Sequence, residues 1–186
     1  MASTDTTKDT FTETDLTHLR RTIELAKEAL EAGDAPFGSV LVYNNNDDNT
    51  VKVREDRNRD KTLNDGTRHP EFELARWAAT SLTPEQRERA VVYTSGEHCA
   101  MCAAAHAWVG LGEIVYVASS RQLEDWVTEF GKGEGEGEGE GSPVAMLPVQ
   151  KVAPRVRVRG PAPKPELVER IKALHRRYFE TNKRSV

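Results

Sequence analysis

Two cysteines are all that the sequence holds, and no run of about 18 apolar residues occurs in it. The second absence removes the reading of a membrane-spanning protein. The first leaves no disulfide framework: Cys99 and Cys102 stand three apart, a poor structural staple. That spacing points instead to a metal site or a redox pair. Residues 1–14 lack the apolar centre of a secretory signal, and their acidity argues against an organelle transit peptide. They are expected to form a disordered tail on a cytoplasmic protein.

What is present is charge, 30% of 186 residues, beside 37% hydrophobic residues. This composition fits one globular domain over residues 15–186, long enough to bury a core. The net charge of −4 is unevenly spread. Residues 151–186 carry 11 Lys or Arg against 3 Asp or Glu, whereas residues 1–150 carry 15 against 27. Either the basic segment packs on an acidic body, or it offers a surface to an anionic partner such as RNA. The acidic total favours a small-molecule partner over nucleic acid.

Leu16, Leu19, Ile23, Ala26 and Leu30 follow helical spacing, and Gly33 is placed to end that helix. Ser39–Tyr43 reads as a buried strand, with an antiparallel partner around Val51 and Val53. After a polar loop from Asn58 to Arg68, Pro70 opens a helix whose apolar face is Phe72, Ala75, Ala79 and Leu82. Strands are expected at Ala90–Thr94 and Ile114–Ala118, and a fifth at Val156 and Val158. Helices are expected at Cys99–Val109, at Leu123–Phe130 and at about 165–180. Residues 131–141 are a low-complexity Gly/Glu stretch, flexible by composition, either a linker or a mobile lid. Strands alternating with helices indicate an α/β fold.

The chemistry gathers at His69-Pro70-Glu71 and Cys99-Ala-Met-Cys102, each group opening a helix. In a first helical turn the two cysteines face the same way, and the positive helix end favours their thiolates. His69 supplies a third donor. Three protein ligands leave a fourth tetrahedral position for water, the pattern of catalytic rather than structural zinc. Bound zinc lowers the pKa of water toward about 7. Glu71 lies two residues from His69, where it can reach that water without being a ligand and can move its proton.

H-x-E followed by C-x-x-C resembles the signature of the cytidine/deoxycytidylate deaminase-like zinc enzymes. Ala35-Pro-Phe-Gly-Ser-Val-Leu-Val42 is similar to the first-strand motif of guanine deaminases and tRNA adenosine deaminases, and Thr94-Ser-Gly-Glu-His-Cys99 to their T-x-x-E-P-C. The resemblance implies a three-layer α-β-α sandwich with a mixed five-stranded sheet, one Zn²⁺ per chain, and a homodimer. It implies hydrolytic deamination of a small nucleobase-like substrate (guanine, cytosine or a triazine), the rivals being a tRNA adenosine or nucleoside deaminase and a non-catalytic zinc module. It places Asn58 at a base-contacting position, Phe37 on the pocket wall, and an acidic residue after the fourth strand (Glu124, Asp125 or Glu129) on the substrate's amino group. Two residues depart from the pattern: Pro70 replaces the alanine of H-A-E, and His98 replaces a pocket-lining proline, so His98 is expected at the substrate. Trp108 is expected in the core; His18, His106 and His175 are expected to take no catalytic part.

Overall fold

The computed structural model describes residues 10–45, 50–131 and 144–183. The Gly/Glu residues 132–141, and residues 1–9 of the expected tail, lie outside them. Helix α1 spans Glu13–Glu31 and begins inside the segment expected as tail. Thr12 caps it: its hydroxyl accepts from the Asp15 N–H while the Asp15 carboxylate accepts from the Thr12 N–H, a reciprocal capping box.

Five strands form one mixed sheet in the order β2-β1-β3-β4-β5. They are β1 (Gly38–Asn44), β2 (Val51–Arg57), β3 (Val91–Gly96), β4 (Glu113–Ala118) and β5 (Val158–Arg159). β1 runs antiparallel to β2 and β3; β3, β4 and β5 are parallel. The helices are α2 (Pro70–Ser81), α3 (Pro84–Arg89), α4 (Ala100–Val109), α5 (Ser120–Gly131), α6 (Val149–Val152) and α7 (Pro165–Lys183). The two short ones, α3 and α6, were not legible as helices; a Thr83–Gln86 capping box starts α3.

Alternation along the strands sorts the core into two faces. Val40, Tyr93, Val115 and Val117 pack with α1, α5 and α7. Leu41 and Val92 pack under α2, and Ile114 and Tyr116 under α4 and α6. The result is the expected three-layer sandwich. Gly38 lets α1 lie against β1: a Cβ there would stand 2.4 Å from Leu25 Cβ and 2.5 Å from the Thr22 carbonyl oxygen. Gly110, at φ 74°, takes the left-handed conformation that ends α4.

The basic C-terminal segment packs on the acidic body. Arg159 is nearly buried and bonds both Asp15 and Glu113, tying β5 to the first turn of α1. Arg170 meets Glu24, while Lys172 and Arg176 share Glu129.

His106 and His175 are buried, and burial lowers each imidazole to about 4. Unfolded histidine titrates near 6.5, so between about pH 6.5 and 4 the unfolded chain takes up protons that the native chain refuses. Stability is therefore lost as pH falls through that window, by up to about 1.4 kcal/mol per pH unit for each group. Urea unfolding should show this slope, and His106→Gln, which keeps a donor for the Gly112 carbonyl, should reduce it. An unchanged slope in that variant would contradict the assignment.

Candidate active site

Two helix starts build the site. His69 is the N-cap residue of α2 and Cys99 that of α4, and neither side chain caps its own helix. Pro70 occupies the first turn of α2, where its missing N–H removes no intrahelical bond. The two uncommitted side chains meet: His69 Nδ1 lies 3.7 Å from Cys99 Sγ and 3.6 Å from Cys102 Sγ. All three donor atoms lie within 4.8 Å of one another.

This set fits a zinc ion. Bond lengths of about 2.3 Å to sulfur and 2.0–2.1 Å to nitrogen give a tetrahedral N–S edge of about 3.6 Å, which is the separation present. One of the two thiols is already in the metal-binding form. The Cys102 thiol beside Cys99, and then the His69 imidazole, hold Cys99 down to about 4 against the effect of burial. The same Cys99 contact, with burial, pushes Cys102 well up.

Glu71 is 6% exposed, and its carboxylate is fixed at one end. Ser39 Oγ and Thr94 Oγ1 each donate to Oε1 at 2.8 Å, while Oε2 lies 3.7 Å from Cys102 Sγ. Ser39 and Thr94 went unrecognised in the sequence. They are direct register partners across β1 and β3, a relation only the sheet creates.

A cavity of about 310 Å³ opens over His69, Glu71 and Cys99. Phe37, Trp126, Phe130 and Met146 make much of its wall, and no Lys or Arg is among its described lining residues. Glu97, also on the wall, accepts from the Ser120 and Val149 N–H groups and so joins the starts of α5 and α6.

A family model described as the cytidine and deoxycytidylate deaminase zinc-binding region matches residues 12–118. The chain belongs to this family. Among its relatives, a probable cytosine deaminase of Schizosaccharomyces pombe is 32% identical over 113 residues, 61% of this chain and 65% of that one. A tRNA-specific adenosine deaminase of Agrobacterium fabrum is 37% identical over 93 residues, 50% of this chain and 58% of that one. The chain thus spans less than two thirds of either relative's length. A solved guanine deaminase from Bacillus subtilis superposes with a TM-score of 0.50 at 26% identity, covering 75% of this chain and 89% of that one.

Within this deaminase-family site, the structure gathers His69, Glu71, Cys99, Cys102 and Phe37. Asn58 and His98 do not line the cavity. Asn58 is buried in a turn, its Oδ1 accepting from the Asp60 N–H and its own N–H donating to the Phe37 carbonyl. His98 is buried with its ring edge-on to His106, 5.3 Å away. The acidic residues of α5 are corrected too. Leu123, Trp126, Val127 and Phe130 form the i, i+3, i+4, i+7 stripe that faces the cavity, which turns Glu124, Asp125 and Glu129 to solvent. Trp108 is 90% exposed, because α4 buries the face of Cys102, Ala103 and His106. His175, Tyr178 and Phe179 of α7 reach the cavity wall.

Proposed function

We propose that the protein is a zinc-dependent hydrolytic deaminase of a free amino-substituted nucleobase or related heterocycle, with guanine, cytosine or a triazine as the substrate type. The observation that carries this reading is the anchored Glu71 carboxylate, with one oxygen fixed by two hydroxyls and the other beside the His69–Cys99–Cys102 set. A purely structural zinc site has no use for it. His69 Nδ1, Cys99 Sγ and Cys102 Sγ would hold one zinc ion, which supplies Lewis-acid activation of water when bound. Glu71 Oε2 takes a proton from the attacking water and delivers it to a ring nitrogen of the substrate. The water oxygen bonds to the carbon bearing the amine. Glu71 then takes the remaining proton from the hydroxyl of the tetrahedral adduct and passes it to the amine, the C–N bond breaks as the C=O forms, and ammonia and the oxo heterocycle leave. Phe37 presents an aromatic surface to a planar ring. Asn58 acts from behind, holding the backbone on which Phe37 stands.

The wall supports a free base over a polyanion. Among its described residues it offers no Lys or Arg to a phosphate, and several basic residues of the C-terminal segment are already paired with carboxylates. Ammonia release from bases, nucleosides and an adenosine-containing tRNA tests this. Release from one or more free bases, with none from tRNA, is the expected result. Release from tRNA alone would overturn the substrate assignment, and release from nothing, with zinc bound, would favour a non-catalytic module.

A further inference from the structure

The sequence leaves His175 idle, yet α7 carries it onto the cavity wall that also includes Glu71. It is 8% exposed, and its imidazole has no hydrogen-bond partner among the described residues. Its only described ring contacts are apolar in character: the edge of Phe37 at 4.9 Å and Trp126 at 6.1 Å. The neighbouring buried positions of α7 are Leu167, Ile171 and Leu174, so an aliphatic residue would suit position 175 as packing. His98 and His106 also hold ring nitrogens without partners, but neither lines the cavity.

We infer that His175 is a substrate-binding residue that hydrogen-bonds the polar edge of an uncharged amino-heterocycle whose face lies along Phe37. This rests on the deaminase reading above and adds to it a contact from the far end of the chain. A neutral imidazole offers a donor on one nitrogen and an acceptor on the other, so through one of them it can donate to a ring carbonyl or ring nitrogen, or accept from an amine or ring N–H. Phe37 and Trp126 hold the ring in place from two sides, so the group is oriented before the ligand arrives. A buried polar group left open in an apolar wall is where a ligand can form a bond without displacing a protein partner. Such a site also rejects analogues that lack the matching hydrogen-bonding edge.

The test uses the zinc-loaded full chain, with guanine, cytosine and adenine as probes, and follows both the imidazole nitrogen chemical shifts and ammonia release. The His175 signal is assigned by its loss in His175→Gln. Binding of a base should move at least one His175 nitrogen to a hydrogen-bonded value. His175→Phe should raise KM about tenfold with kcat within about threefold, the size expected for one lost hydrogen bond, and His175→Gln should recover part of the loss. A base that is bound and deaminated with the His175 nitrogens unmoved would overturn this inference and leave the deaminase reading intact. Binding that depends on His175 without ammonia release would overturn the deaminase reading instead. If none of the three bases binds, this inference falls, and the ammonia-release panel alone decides the deaminase reading.

Discussion

Glu71→Gln protein is expected to keep one zinc per chain and to release ammonia roughly a thousandfold more slowly, within the range that a positioned acid–base group contributes. The substitution isolates one function. Glutamine keeps the carbonyl oxygen that accepts from Ser39 Oγ and Thr94 Oγ1, so the side chain stays anchored and the fold is preserved. It replaces the other oxygen by an amide that cannot take a proton from water or carry it to a ring nitrogen. Because Glu71 stands beside the ligand set rather than in it, zinc content should not change, and KM should move much less than kcat. That pattern marks an interaction made in the transition state. A Glu71→Gln protein that binds zinc and works at the parent rate would remove Glu71 from the mechanism.

The metal pattern was legible because it is local. His69 and Glu71 straddle one helix start, Cys99 and Cys102 lie within one turn of another, and each pair carries its own spacing. The buried face of α2 was harder. Hydrophobicity alone picked Phe72, Ala75, Ala79 and Leu82, whereas the helix buries Glu71, Leu74, Ala75 and Ala78, with Leu82 following as its C-cap. The buried stripe starts with a carboxylate, and a polar residue held by hydrogen bonds is invisible to an apolar periodicity. Reading Glu71 as a catalytic group should itself have turned that helix.

Two further misses depend on pairing between distant segments. Ser39 and Thr94 become partners only through the β1–β3 register. His175 becomes a wall residue only because α7 packs beside α1 and α5 over the same sheet face. The amphipathic stripe of α7 was readable, and so was the option that Tyr178 or Phe179 closes over the pocket; that His175 joins them was not. His98 is a separate case: it was expected at the substrate because it replaces a pocket-lining proline, whereas its ring is buried edge-on to His106.

Cys102→Ala should lose zinc, with an affinity loss on the order of a thousandfold, since a site worth about 10–16 kcal/mol divides into several kcal/mol per donor. Alanine leaves His69 Nδ1 and Cys99 Sγ as a two-donor remnant beside the Glu71 carboxylate, and it opens space where a fully buried thiol stood. Metal analysis of the purified variant checks this, and retention of one zinc per chain would contradict the ligand set. The parent protein adds an independent readout. In the metal-free chain Cys99 is already a thiolate at neutral pH, whereas Cys102, pushed up by Cys99 and by burial, still holds its proton. Zinc added to apoprotein at pH 7 must therefore expel the Cys102 proton, together with whatever fraction His69 carries, since its neighbour Cys99 raises His69. Titration in buffers of differing ionisation enthalpy should count between one and two protons released, and Cys102→Ala should lose the larger part of that release. Affinity should weaken as pH falls, because each added proton competes with the metal for the same lone pair.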